Sequence, residues 1–296
     1  MSSTNYAKDY GIESLAAAIV FTILYVPLLA LNVYQAIRRR TRVYFTISLF
    51  CLIRVTAFAL RSALAGSNAA ATNENALIAF EVIYNVGFFG ILYSAYTLVL
   101  ERESLVDMDV FLMYCPGPLQ LIFRITRRRA LIRIALMVAV AVGIAGSVDV
   151  LNAKTQSDLN QATALRSASV YIFLAVTCLL VIQALALSFA TMRTLAKEPR
   201  TGQQQVYSPP RQGRGPARVG GTYGIFFLLI IAALLLAREA FYGATTHKSA
   251  QQTNEHLWYP LSAMTELIAV ILFAVPGLIP AQDELPQEER ELNLLA

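Results

Sequence analysis

Arginine and glutamate occur where apolar residues otherwise predominate. Arg54, Arg61, Glu81, Arg238, Glu239 and Glu266 each lie inside a long apolar run, with Asn85 one helical turn from Glu81. A charge at mid-bilayer costs a few kcal/mol on insertion scales, so such residues are candidates for a ligand site, an ion path or a paired polar core. Spacing groups them. Arg54 and Arg61 are seven residues apart and share a helix face; Glu81 and Asn85, four apart, share another, as do Ser262 and Glu266. Guanidinium groups so placed would attract an anionic or hydroxylated headgroup, and the carboxylates would pair with them or exchange protons. The expected pairs are Arg54–Glu266 and Arg61–Glu81, within a polar core linking the second, third, sixth and seventh runs. A purely structural role, fixing which helices meet, is the alternative.

Other chemistries lack their residues. The two histidines, His247 and His256, share one loop, so no metal site and no cofactor are expected. No Gly-x-Ser-x-Gly and no phosphate-cradling glycine motif occurs, and the seventh run has no Lys for a retinal Schiff base. No catalytic residue is assigned and enzymatic activity is not expected.

The elements that must position these side chains follow from the composition. Of 296 residues, 56% are hydrophobic and only 15% charged, with a mean hydropathy of +0.54. Soluble domains carry about 25% charge. A soluble enzyme, a disordered chain and a nucleic-acid binder are excluded, despite a net charge of +5 and a pI near 9.1. A hydrocarbon core about 30 Å thick needs roughly 20 apolar residues in a helix. Seven runs meet that length, at about 15–34, 43–64, 76–100, 130–148, 167–187, 223–242 and 257–279. The expected fold is an all-α, seven-helix polytopic bundle over residues 1–279, followed by an acidic cytoplasmic tail, 280–296, expected to be disordered.

Orientation follows from the loops. The first, third and fifth connections hold fifteen Lys and Arg residues and the second, fourth and sixth only three, namely Lys154, Arg166 and Lys248. By the positive-inside rule the odd connections are cytoplasmic, with the N-terminus outside and the C-terminus inside. Arg61, Glu81, Arg238 and Glu239 then fall near the outer boundary, and Arg54 and Glu266 near the middle. The first run, followed rather than preceded by its Arg cluster, reads as an uncleaved anchor. Cys51 and Cys178 lie within runs and Cys115 in a cytoplasmic loop, so no extracellular disulfide is expected.

The fifth connection, 194–222, contains YSPPRQGRGPARVGG, too polar to bury a core. It is expected to be a basic linker near anionic headgroups, or a site for a cytoplasmic protein partner. The third connection mixes apolar and basic residues, as an interfacial segment on the inner leaflet would. Ala135, Ala139, Gly143 and Ser147 form a small-residue face for close packing inside the bundle. Pro27, Pro260 and Pro276 are expected to bend their helices. A faint parallel repeat relates the second and third runs to the sixth and seventh: Arg54 and Arg238 each precede an Asn-Glu pair, Asn73-Glu74 and Asn254-Glu255.

Glu101-Arg102-Glu103 resembles the acidic-Arg motif of G-protein-coupled receptors, without their Asn-Pro-x-x-Tyr motif or outer-loop cysteine. The segments EVIYNVGFFGILYSAYTLVLERE and NEHLWYPLSAMTELIAVILFAVPGLIP resemble the third and seventh helices of fungal lipid-translocating exporters of the aminocholesterol-resistance type. They are also similar to the tobamovirus-multiplication membrane proteins. The resemblance implies functional roles for Arg238, Glu81 and Glu266, which match an Arg of helix six and Glu residues of helices three and seven. It lacks the exporters' Gly-Tyr pair in helix two and their Pro in helix three.

The leading expectation is a plasma-membrane or endomembrane protein that contacts membrane lipids. It would bind or translocate an amphipathic, lipid-like molecule through an outward-opening cavity lined by Arg54, Arg61, Glu81, Arg238 and Glu266. The alternatives are a receptor-like sensor working through its basic loops, and a membrane scaffold.

Overall fold

A backbone in hydrocarbon must satisfy its own N–H and C=O groups, and uninterrupted helices do so at every residue. The computed structural model describes residues 5–39, 41–104, 126, 128–152, 155–197, 223–246 and 248–280. Seven of its helices are long and apolar enough to cross a membrane, and no strand occurs among the described residues. They are α1 (Leu15–Arg39), α2 (Arg42–Gly66), α3 (Glu74–Glu103), α4 (Arg129–Asn152), α5 (Gln156–Lys197), α6 (Gly224–Thr245) and α7 (Glu255–Phe273). The chain is a multispanning, integral membrane protein. Consecutive helices pack side by side; α3 is central, touching α2, α4, α5 and α6, and α7 closes the bundle against α6 and α1. Val20, Ile23, Val26 and Ile37 of α1 point outward and apolar, as lipid-facing side chains do.

Most helix ends lie a few residues from the expected runs, and three of the differences bear on the site. At 42 residues α5 is about 63 Å long, twice the hydrocarbon core. Its first turns, from Gln156 to Arg166, are polar, and hydropathy does not register polar helix. Arg166 therefore stands on a helix rather than in a loop. Helix α7 stops at Phe273 instead of running to Ile279. Pro276 cannot donate an intrahelical bond and disfavours helix at Val275, and Gly277 takes φ 89° to turn the chain. Helix α6 runs on to Thr245, three residues beyond its expected end.

Pro27 lies inside a continuous α1. Pro260 sits in a five-residue π-turn of α7, Tyr259–Ala263, whose wider register accommodates a residue with no N–H. The Asn-Glu pairs of the faint repeat are helix starts. Asn73 and Asn254 accept backbone N–H bonds as N-caps of α3 and α7, and Glu74 and Glu255 occupy the first turns. The small-residue face of α4 packs on α5, where Ser169 Oγ donates to the Ala139 carbonyl at 2.6 Å. A Cβ on Gly143 would lie 2.6 Å from that hydroxyl. The basic stretch 198–222, the third connection with Cys115, and the acidic tail beyond residue 280 lie outside the described residues.

Candidate functional site

Two polar assemblies are stacked along the bundle. The deeper is a closed charge cluster. Arg54 on α2 is fully buried, its Nη2 donating to Glu266 Oε1 at 2.6 Å and its Nη1 to the Tyr84 carbonyl at 2.7 Å. Gly87 makes this approach possible, because a Cβ there would lie 3.2 Å from Arg54 Nη1. Arg238 Nε lies 2.6 Å from the same Glu266 oxygen, and Arg238 Nη1 pairs with Glu239 Oε1. Aromatic faces complete the shell. The Arg54 guanidinium lies 3.8 Å from the Tyr84 ring centre, and that of Arg238 lies 3.8 Å from Phe88. Desolvated cation–π contacts of this kind contribute about 2 kcal/mol each. Two cations and two carboxylates leave the cluster neutral, which is the condition for keeping ions in a membrane interior.

The expected Arg54–Glu266 pair is thus present. Arg238 and Glu239 belong to the same level rather than to the boundary, because the extension of α6 places them deeper. Buried without a hydrogen-bond partner are Glu266 Oε2, Arg54 Nε and the Tyr25 hydroxyl.

Above the cluster runs a chain of hydroxyls. Trp258 Nε1 donates to Tyr242 Oη at 2.9 Å, and Ser262 Oγ lies 3.1 Å from Tyr242 Oη and 2.9 Å from Tyr84 Oη. The π-turn and the following turn of α7 bring Ser262 into this position.

The second assembly surrounds a cavity of about 40 Å³ at the end of the bundle that bears the segment preceding α1. Arg61, Glu81, Asn85, Arg166, Tyr84 and Trp258 are among its walls, with Tyr10 from that segment. Arg61 pairs with Glu255 at 2.7 Å, donates to Tyr259 Oη at 3.1 Å and lies 4.2 Å from the Trp258 ring centre. Glu81 pairs with Arg166 at 3.0 Å and accepts the Tyr10 hydroxyl. Burial, and then the Glu81 charge, push the Tyr10 hydroxyl up, so it remains a donor at neutral pH. A second cavity of about 40 Å³ lies between α3, α4 and α5, and Asn85 and Arg166 border both.

Two expectations need correction. Arg61 and Glu81 do not pair: each has found another partner, and they stand on the walls of one cavity. Arg61 meets Glu255 because the N-cap turn of α7 starts beside the end of α2. Glu81 turns toward α5 and the segment before α1. Nor do Arg54, Arg238 and Glu266 line an open cavity; they are packed shut beneath it, and of the assigned residues only Arg61, Glu81 and Asn85 face it. Arg166, Glu255 and Tyr10 escaped sequence reasoning. Arg166 and Glu255 lie outside the apolar runs or at their margin, and Tyr10 caps the four-residue helix Tyr6–Asp9, with no pattern to mark it. The helix-forming polar stretch 156–166 was the available signal for Arg166.

At the opposite end Arg102 Nη2 donates to the carbonyls of Gly277 and Leu278 at 2.7 and 2.6 Å, in the turn that follows α7. Gln183 of α5 donates to Glu103 at 3.1 Å. The Glu-Arg-Glu triplet therefore fastens α3 to α7 and α5. Set beside known protein families, curated proteins and solved structures, the chain has no match.

Proposed function

We propose that this protein is a non-enzymatic membrane protein that holds the polar head of an amphipathic, lipid-like molecule in the cavity beside Arg61 and Arg166, and translocates it. One observation carries the reading. Two guanidinium groups, each paired to a carboxylate that could exchange it for a ligand, border a cavity backed by the rings of Tyr84 and Trp258. Such a wall suits a molecule with a charged or hydroxylated head and an apolar body. The resemblance of α3 and α7 to helices of lipid-translocating exporters points the same way. The positive-inside count places this end outside.

Native mass spectrometry of the detergent-purified protein, beside an Arg166→Ala variant of confirmed folding, tests the binding step. A small molecule or lipid retained by the parent and lost from the variant is expected. Equal, non-specific lipid on both would overturn the reading and favour a scaffold. Flux of the identified molecule into liposomes tests translocation.

A receptor-like sensor is the second reading, favoured by the span of α7. That helix bears Trp258 at the cavity and Glu266 in the charge cluster, and Arg102 grips the turn that follows it. Loss of signalling on deleting residues 202–221, with the ligand retained, would select it.

A further inference from the structure

The cavity is small beside the roughly 300–1,000 Å³ of ordinary ligand pockets and has room only for a few waters. A ligand must therefore displace part of the wall. The long helices are locked by the charge cluster, the α4–α5 seam and Arg102. The exception is the segment before α1, which supplies Tyr10. It rests on the bundle through buried Ala7 and Ile12, and through Gly11, whose φ of +74° lets it lie against the Thr253 carbonyl.

Two acids fasten this segment. Glu81 accepts the Tyr10 hydroxyl, and the Glu255 carboxylate accepts the backbone N–H groups of Glu13 and Ser14 at 3.2 and 2.9 Å. The same two acids neutralise the cavity arginines, Glu81 with Arg166 and Glu255 with Arg61. Each carboxylate is thus shared between the segment and one guanidinium.

We propose that residues 5–14 are a lid over the cavity, and that the ligand it admits carries an anionic phosphate or carboxylate group bound between Arg61 and Arg166. The inference rests on the cavity being a ligand site. An anion replaces Glu81 and Glu255 on the guanidinium groups at no loss of charge-assisted hydrogen bonds. A cation drawn to Glu81 and Glu255 would leave both guanidinium groups unpaired, and a neutral head would leave both ion pairs and the lid in place. Because the ligand binds only the open form, lid closure lowers its apparent affinity by the fraction of molecules open.

The test uses the full chain in maltoside detergent micelles with two signals. Fluorescence of Trp258, the single Trp of the chain, reports occupancy of the cavity. Hydrogen–deuterium exchange of residues 5–14 reports the lid. The probes are phosphatidylglycerol, as an anionic lipid, and inorganic phosphate, as a free anion. An anionic probe is expected to shift Trp258 emission and to speed exchange of residues 5–14, and the probe that acts identifies lipid headgroup or soluble anion as the source. Tyr10→Phe and Glu255→Gln each cut one fastening. Either is expected to speed exchange without any probe and to tighten apparent affinity about tenfold, as loss of a hydrogen bond to a charged group implies. Tyr10→Phe removes a single oxygen and keeps the test open if Glu255→Gln misfolds. A Trp258 response with exchange of residues 5–14 unchanged would overturn the lid and leave the ligand site standing. A response to added diacylglycerol, a lipid without phosphate, but to neither anion would overturn the anionic assignment. Silence of Trp258 toward every probe would overturn the ligand reading and the lid together.

Discussion

Arg54 and Glu266 are 212 residues apart in the chain and meet at 2.6 Å with neither side chain accessible. The contact ties α2 to α7, and Arg238 joins α6 to the same carboxylate oxygen. One glutamate therefore holds three helices around α3, whose Tyr84 and Phe88 rings cover the two guanidinium groups.

Removing that glutamate leaves two buried cations with one remaining acid. Glu266→Gln is expected to destabilise the bundle by about 3–5 kcal/mol, the cost of breaking a buried pair. Arg54→Met should cost less, because it severs one of the two ion pairs of Glu266 and leaves the other, with Arg238, in place. Thermal unfolding in detergent checks the order. Equal effects of the two substitutions would contradict the shared role of Glu266.

Tyr25 and Tyr242 provide a contrast within one chemical change. The Tyr25 hydroxyl is buried without a partner, so Tyr25→Phe is expected to leave the melting temperature unchanged or raise it. Tyr242→Phe removes the acceptor of Trp258 Nε1 and a partner of Ser262, and is expected to cost about 1 kcal/mol. It should also shift Trp258 emission. Loss of stability in Tyr25→Phe would reveal a bridging water between Tyr25 and the charge cluster.

The α4–α5 seam depends on absent side chains. A Cβ on Gly143 would stand 2.6 Å from Ser169 Oγ, so Gly143→Ala is expected to cost about 1–3 kcal/mol by overpacking. Ser169→Ala removes the obstructing oxygen and should recover part of that loss. A double-mutant cycle read by thermal unfolding measures the coupling.

Gly11→Ala addresses the lid alone. Its φ of +74° disfavours any side chain, and a Cβ there would lie 2.6 Å from the Thr253 carbonyl oxygen. Faster hydrogen exchange over residues 5–14 is expected, with the melting temperature of the bundle unchanged. The strain amounts to about 1–3 kcal/mol. A matching fall in the melting temperature would mean that this segment is part of the bundle's cooperative unit.

Much of the architecture was legible in the order of residues. Hydrocarbon thickness and the pairing of backbone groups act on each segment independently, so seven apolar runs of the right length suffice to predict seven helices. The pairing of Arg54 with Glu266 followed from depth alone, since each was the lone charge near the middle of its run. Arg61 and Glu81 failed the same reasoning. Near the boundary several partners compete at similar depth, and the choice among Glu81, Glu255 and Arg166 depends on how helices are rotated.

Sequence by itself thus determined what is local: span number, the small-residue face of α4, and which charges need partners. Tertiary structure decided which charges meet, that four of the assigned arginines and glutamates are sealed together rather than facing a cavity, and that Tyr10, Arg166 and Glu255 complete the site. The reason is physical. Whether a run enters hydrocarbon is decided by the run itself, whereas an ion pair requires two helices to present their faces at one height, and only packing of the whole bundle sets those rotations.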